Sequence, residues 1–161
     1  MNEVQTATKA YWMLEHLVVV HLTGEQTDGA YELVEFLMPA GSMTPLHVHE
    51  HQSQMTYVLE GEVTFFLPGT SVVCGPGQCF FRPAGVPQTD HVTSDGPARV
   101  LDVNAPAGFD DFGFDRFVGA AGRPAEDRVL PSFGAPPDLD ALLEAATRYG
   151  MKILGPPGTL P

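Results

Sequence analysis

Three histidines at alternate positions, His47, His49 and His51, stand in the stretch PLHVHEHQSQMTYVLEGEVTFF, residues 45–66. Imidazole binds transition metals through a neutral ring nitrogen, and it also moves protons near neutral pH. On a strand, residues two apart share a face and lie roughly 6.6–6.8 Å apart, so His47 and His49 can converge on one point. His51 keeps that phase but lies about 13 Å from His47, too far for three-point chelation from one straight strand. It reads as a residue of a cavity mouth or of the surface. A metal site built on the pair needs donors from other strands.

The elements that must supply those strands are short and separated by turn residues. LEHLVVVHLT (14–23) is apolar and β-branched and ends at GEQTDG, and AYELVEFLMP (30–39) roughly alternates. QMTYVLEGEVTFFLPG reads as two strands split at Glu60-Gly61, and TSVVCGPGQCFFRPAG as two more around a Gly-Pro-Gly turn. ARVLDVNAP (98–106) closes the run. Short, evenly spaced strands with turn chemistry between them predict an all-β sandwich or small barrel. After Pro106 the pattern changes, and residues 107–137 read as irregular coil or short helix wrapping the barrel. Leu139, Leu142, Leu143 and Ala146 then recur at helical spacing, with acidic residues in the first turn and Gly150 past the end. They predict one terminal helix over about 138–149, its Leu face on the barrel, followed by a GPPGTLP tail. At 161 residues the chain fits one domain, with a barrel core over about 12–106.

The histidine stretch resembles the first motif of the cupin family: a Gly, five residues, His-x-His, three or four residues, Glu, six residues, Gly. Here it runs Gly41, His47-Val48-His49, Gln54, Gly61. The second motif, a Gly, five residues, Pro-x-Gly, two residues, His, three residues, Asn, runs Gly77, Pro83-Ala84-Gly85, Gln88, Val92. The resemblance covers about residues 30–105, and RYGMKILGPP is similar to bacterial quercetin 2,3-dioxygenase-like cupins as well. It implies a double-stranded β-helix, or jelly-roll barrel. It also implies a divalent ion such as Fe, Mn, Ni or Zn, held in the family by two His and a Glu of the first motif and a His of the second.

Two of those four positions depart from the family. Gln54 takes the place of the Glu and Gln88 that of the second His. A glutamine offers a neutral carbonyl oxygen, a poorer ligand for a borderline metal than carboxylate or imidazole. Losing the Glu also removes the charge that offsets a cation in a poorly solvated barrel. A metal on His47, His49, Gln54 and Gln88 would therefore be weakly held, and no cofactor is the favoured expectation. Asp90 shares the inward phase of Gln88 and, with the two His, would complete a two-His-one-carboxylate set. His91, an odd step from Gln88, reads as a surface residue; His16 and His21 read as surface or packing residues. Counted along their strands, Thr56, Val58, Cys79 and Phe81 face inward to the substrate, with Tyr57, Phe80 and Arg82 on the other phase.

Three functions follow for the pocket. Without a metal, His47, His49, Gln54, Gln88 and Asp90 would serve acid–base and hydrogen-bonding roles in a non-oxidative rearrangement, isomerisation or cyclisation. The resemblance implies an apolar aromatic or polyketide-like substrate of bacterial specialised metabolism. With a metal, the alternative is a quercetinase-like dioxygenase; a non-catalytic small-molecule-binding protein is the third possibility. The net charge of −12 argues against nucleic acid and anionic membranes as partners. No stretch is apolar enough to span a bilayer, and MNEVQTATKA lacks the features of a secretory signal, so a cytoplasmic setting is expected. Cys74 and Cys79 are expected as free thiols in a reducing compartment. The resemblance further implies a homodimer that exchanges terminal strands, with residues 11–22 suited to that role.

Overall fold

The computed structural model describes residues 8–108, 112–132 and 137–161. Its strands in chain order are β1 (Lys9–Met13), β2 (His16–Leu22), β3 (Glu32–Met38), β4 (Pro45–His49), β5 (Ser53–Glu60) and β6 (Val63–Leu67). They continue with β7 (Thr70–Cys74), β8 (Cys79–Arg82), β9 (Thr89–Val92) and β10 (Ala98–Ala105). Helix α1 (Phe114–Ala121), the short β11 (Arg123–Pro124), helix α2 (Leu139–Arg148) and β12 (Met151–Pro157) complete the set.

The strands form a jelly-roll barrel. One wall is a seven-stranded sheet in the order β11-β1-β2-β3-β10-β5-β8. The other is made of β12-β4 and β7-β6-β9, joined where β4 meets β9. There His47 and Gln88 exchange backbone hydrogen bonds, His47 N–H to the Gln88 carbonyl at 3.0 Å and the reverse at 2.8 Å. The two histidine-motif segments are thus neighbours by backbone geometry alone. Alternation along β3, β5 and β10 places Val34, Phe36, Val58 and Val100 in the core with Val18, Val63 and Phe65. The turn between β5 and β6 requires glycine. Gly61 has φ of 77°, and a Cβ there would fall 2.7 Å from the backbone of Ala98.

After β10 a short helix falls in the wrapping segment as expected, and two features differ from expectation. Residues 114–121 form α1, whose buried Phe114, Phe117 and Val118 pack against the barrel mouth. The wrapping segment also includes residues 109–111 and 133–136, which lie outside the described ones, as do residues 1–7. Helix α2 lies where the spacing puts it, and Asp138 caps it by accepting the Ala141 N–H at 3.0 Å. Its buried row, however, is Leu142, Ala145 and Ala146; Leu139 and Leu143 are exposed. A stripe at i, i+3, i+4 is narrow, and the small alanines let the helix approach closely. Finally, a strand follows α2: β12 takes residues 151–154, where no element was expected, and the first three residues of the expected tail. β12 pairs antiparallel with β4, Met151 opposite His49 and Ile153 opposite His47. Its prolines are tolerated because the strand is an edge.

Candidate functional site

His47 and His49 both project from β4 into a cavity of about 70 Å3, their ring centroids 5.1 Å apart and edge to face. Both are buried. His47 Nδ1 lies 2.7 Å from the carbonyl of Pro45, which can only accept, so Nδ1 carries the proton and Nε2 keeps its lone pair. His49 has no partner on either ring nitrogen. Burial holds the pKa of His47 down at about 4, with the Pro45 carbonyl opposing and the Arg82 guanidinium adding to the effect. Burial also lowers His49, helped by His47 and Arg82. Both rings are therefore neutral near pH 7.

Gln54 and Gln88 meet, as the motif spacing implies. Gln88 Nε2 donates to Gln54 Oε1 at 2.8 Å, and Gln54 Nε2 donates to Asn104 Oδ1 at 2.7 Å. Asn104 stands opposite Gln54 in the β5–β10 register, so β10 supplies the third amide of the chain.

Arg82 overturns the expected phase of β8. It is 3% exposed and lines the cavity, whereas Phe81 is 60% exposed and Cys79 is exposed as well. The inward placement of Cys79 and Phe81 is therefore corrected: both face out. Alternation along β8 is real, but its absolute phase is set by pairing with β5. There Gln54 lies opposite Arg82, and Thr56 opposite Phe80. The guanidinium sits over the Phe65 ring, its centre 5.2 Å from the centroid. Nη1 donates to Asp90 at 3.3 Å; Nη2 donates to Thr56 and reaches Asp102 at 3.4 Å, while Thr56 in turn donates to Asp102. Thr56 thus faces inward as expected, though its hydroxyl is engaged. Val58 also faces inward but lies fully buried in the core outside the cavity lining.

Asp90 lines the cavity, yet its carboxylate turns to Arg82 and it joins no metal-binding group with the histidines. Burial raises its pKa to about 6, with Arg82 opposing and Asp102 adding. His51 is exposed beside Phe112, and His21 is partly exposed and paired with Glu35 at 2.8 Å, both consistent with surface roles. His16 is different: it is buried, lines the cavity and leaves Nε2 unpartnered.

Residues 34–104 match the family model described as Cupin domain. The chain carries a cupin domain. Over 145 residues the chain is 25% identical to the quercetin 2,3-dioxygenase of Bacillus subtilis (strain 168), a match covering 84% of this chain. It spans only 41% of that relative's length. Among solved structures, the polyketide cyclase RemF from Streptomyces resistomycificus matches with a TM-score of 0.53 and 28% identity, over 65% of this cupin and 78% of that chain. KdgF from a Halomonas species matches with a TM-score of 0.53, 20% identity, and 60% and 83% coverage; this likeness is one of fold.

The metal expected of a cupin can be tested against the donors that the barrel presents. Among the described residues, no three His, Cys, Asp or Glu come together in a group able to hold a metal ion. His47 Nε2, His49 and the unpartnered Gln88 Oε1 remain, two imidazoles and one neutral amide. The positive charge of Arg82 that depresses both imidazoles also opposes a second cation beside them. This donor set does not fit a tightly held transition-metal ion. Sequence reasoning missed Arg82, Asp102, Asn104 and His16 as lining or supporting residues, together with Phe114 and Phe117 of α1, which line the cavity. For Asp102 and Asn104 the signal was present, since both lie on the buried phase of a strongly alternating β10.

Proposed function

We propose that this cupin is a small-molecule enzyme that binds a flat, mostly apolar aromatic or polyketide-like molecule and catalyses a redox-neutral rearrangement, isomerisation or cyclisation. The observation that carries the reading is the pairing of His47, with its tautomer fixed by Pro45, and His49, with both ring nitrogens unpartnered in an apolar cavity. In this reading His47 Nε2 takes a proton from a carbon made acidic by a neighbouring carbonyl. A ring N–H of His49 hydrogen-bonds the carbonyl oxygen as negative charge develops there. The amide chain of Gln88, Gln54 and Asn104 orients the polar end of the substrate. The likeness to a polyketide cyclase supports the substrate class.

Size bears on how a substrate is admitted. About 70 Å3 is less than the roughly 150 Å3 that accepts benzene in an engineered cavity, so side chains at the mouth must move. Met13, Met38 and Met151 line the cavity, and unbranched thioethers repack readily. The same reading takes the protein to be a cytoplasmic homodimer, as the resemblance to small cupins implies.

A second reading, a quercetinase-like dioxygenase, is favoured by the match to quercetin 2,3-dioxygenase and by the His47–Pro45 bond, which leaves Nε2 free as in many metal-bound histidines. One experiment separates the two. Benzoylacetone, which carries a methylene between two carbonyls beside an aryl ring, is incubated in heavy water under nitrogen with excess chelator. Proton magnetic resonance then follows deuterium uptake at the methylene. Uptake above the buffer rate that is lost in His47→Phe supports the proton-transfer enzyme. An acceleration that needs oxygen or added metal supports the dioxygenase.

A further inference from the structure

We propose that His16 is a second recognition point of the cavity, and that the ligand is a flat apolar molecule carrying an oxygen function at each end, one for His49 and one for His16. The inference rests on reading the cavity as a site for an aromatic molecule.

His16 opens β2 in the seven-stranded sheet, whereas His49 ends β4 in the other wall, and both line the same cavity. Each is 2% exposed. Among the described residues, the buried side-chain nitrogens without a hydrogen-bond partner include His16 Nε2 and both ring nitrogens of His49. A desolvated polar atom is unfavourable unless something supplies its bond, and an apolar ring of similar size would fill the same space without that penalty. Two such imidazoles facing one cavity from different walls are accounted for by a ligand that bonds both. Between them the lining is aromatic: His16 meets Phe36 edge-on at 6.3 Å, Phe36 meets Phe114 at 5.8 Å, and Phe114 meets His49 at 5.5 Å. The two polar poles are thus separated by a continuous run of rings.

The charge state narrows the ligand. Burial holds His16 down at about 4, so it is a neutral imidazole that can donate or accept one bond but carries no charge. Neutral imidazoles in a dry pocket match hydroxyl or carbonyl oxygens better than carboxylates or ammonium groups. The other histidine of β2, His21, is already engaged by Glu35 at 2.8 Å and faces away from the cavity lining.

Fluorescence titration of the purified chain with naphthalene, 2-naphthol and 2,6-dihydroxynaphthalene tests the proposal. The wild-type protein is expected to bind the diol tighter than 2-naphthol by roughly fivefold or more, the worth of one added hydrogen bond. In His16→Phe that preference disappears, 2-naphthol affinity stays within about twofold, and the melting temperature holds or rises because the unmet bond is gone. His16→Gln, which keeps hydrogen-bonding groups, retains part of the preference. Equal binding of diol and 2-naphthol by the wild type overturns the proposal while the aromatic-cavity reading stands. So does an undiminished preference in His16→Phe or, should that variant not fold, in His16→Leu. If none of the three compounds binds, the aromatic-cavity reading itself falls and the proposal with it.

Discussion

Gln88 donates its side-chain N–H to Oε1 of Gln54 across 2.8 Å, and Gln54 extends the chain to Asn104 at 2.7 Å. These are the two positions at which the cupin motifs carry a Glu and a His, and here they bind each other. The backbone bridge between His47 and Gln88 keeps the motif strands in register, so the scaffold of a cation site persists while its chemistry has become that of neutral amides.

Restoring the two family residues should therefore restore an ion. The variant Gln54→Glu with Gln88→His supplies a carboxylate and a third imidazole beside His47 Nε2 and His49. Calorimetric titration with Ni2+ or Zn2+ is expected to saturate at one ion per chain in this variant. The wild-type chain is expected to show only weak, unsaturated binding. Equal binding by both would mean that the glutamines were never what limits the site.

Arg82 is the buried counter-charge to Asp90 and Asp102. Removing it with Arg82→Met strands two carboxylates in the barrel, and breaking a buried pair this way typically costs about 3–5 kcal/mol. Urea unfolding at pH 7 is expected to show a loss of that order. The loss should shrink toward pH 5 as Asp90, held at about 6, takes up a proton. The triple variant Arg82→Met, Asp90→Asn, Asp102→Asn should recover much of the stability. A change below about 1 kcal/mol in the single variant would show that the pair contributes little.

Glu32 ties α1 to the barrel. Its Oε2 accepts the backbone N–H groups of Phe114 at 3.0 Å and Asp115 at 3.3 Å. Burial, with the charge of Asp115, raises its pKa from 4.5 to about 8. Between those values the folded state keeps a proton that the unfolded chain has lost. Its contribution is full below about 4.5 and is lost as pH rises through about 8. Glu32→Gln keeps an accepting oxygen without the titration. Unfolding measured from pH 5 to 8.5 should therefore show the variant gaining stability relative to wild type as pH rises. A constant difference across that range would contradict the assignment.

Much of the fold was legible because its signals are local. Strand alternation and the Glu60-Gly61 turn appear where the sequence puts them, and α2 spans Leu139–Arg148 within the expected 138–149. Motif spacing likewise brings His47, His49, Gln54 and Gln88 together. What alternation cannot supply is which of two faces points inward. On β8 that choice is made by Gln54 and Arg82 pairing across strands, and it turned Phe81 out and a guanidinium in. The fate of His16 was equally hidden, since an imidazole at a strand start carries no pattern of its own. β12 was obscured because Gly155, Pro156 and Pro157 look like tail residues, and only the free edge of β4 makes a strand of them.

Metal analysis of the chain purified without chelator bears most directly on the central claim, that His47 and His49 work as neutral imidazoles beside amides and a guanidinium. The expected result is well under one Fe, Mn, Ni or Zn per chain, unchanged in His49→Ala. One equivalent of such an ion in the wild type, lost in His49→Ala, would contradict it.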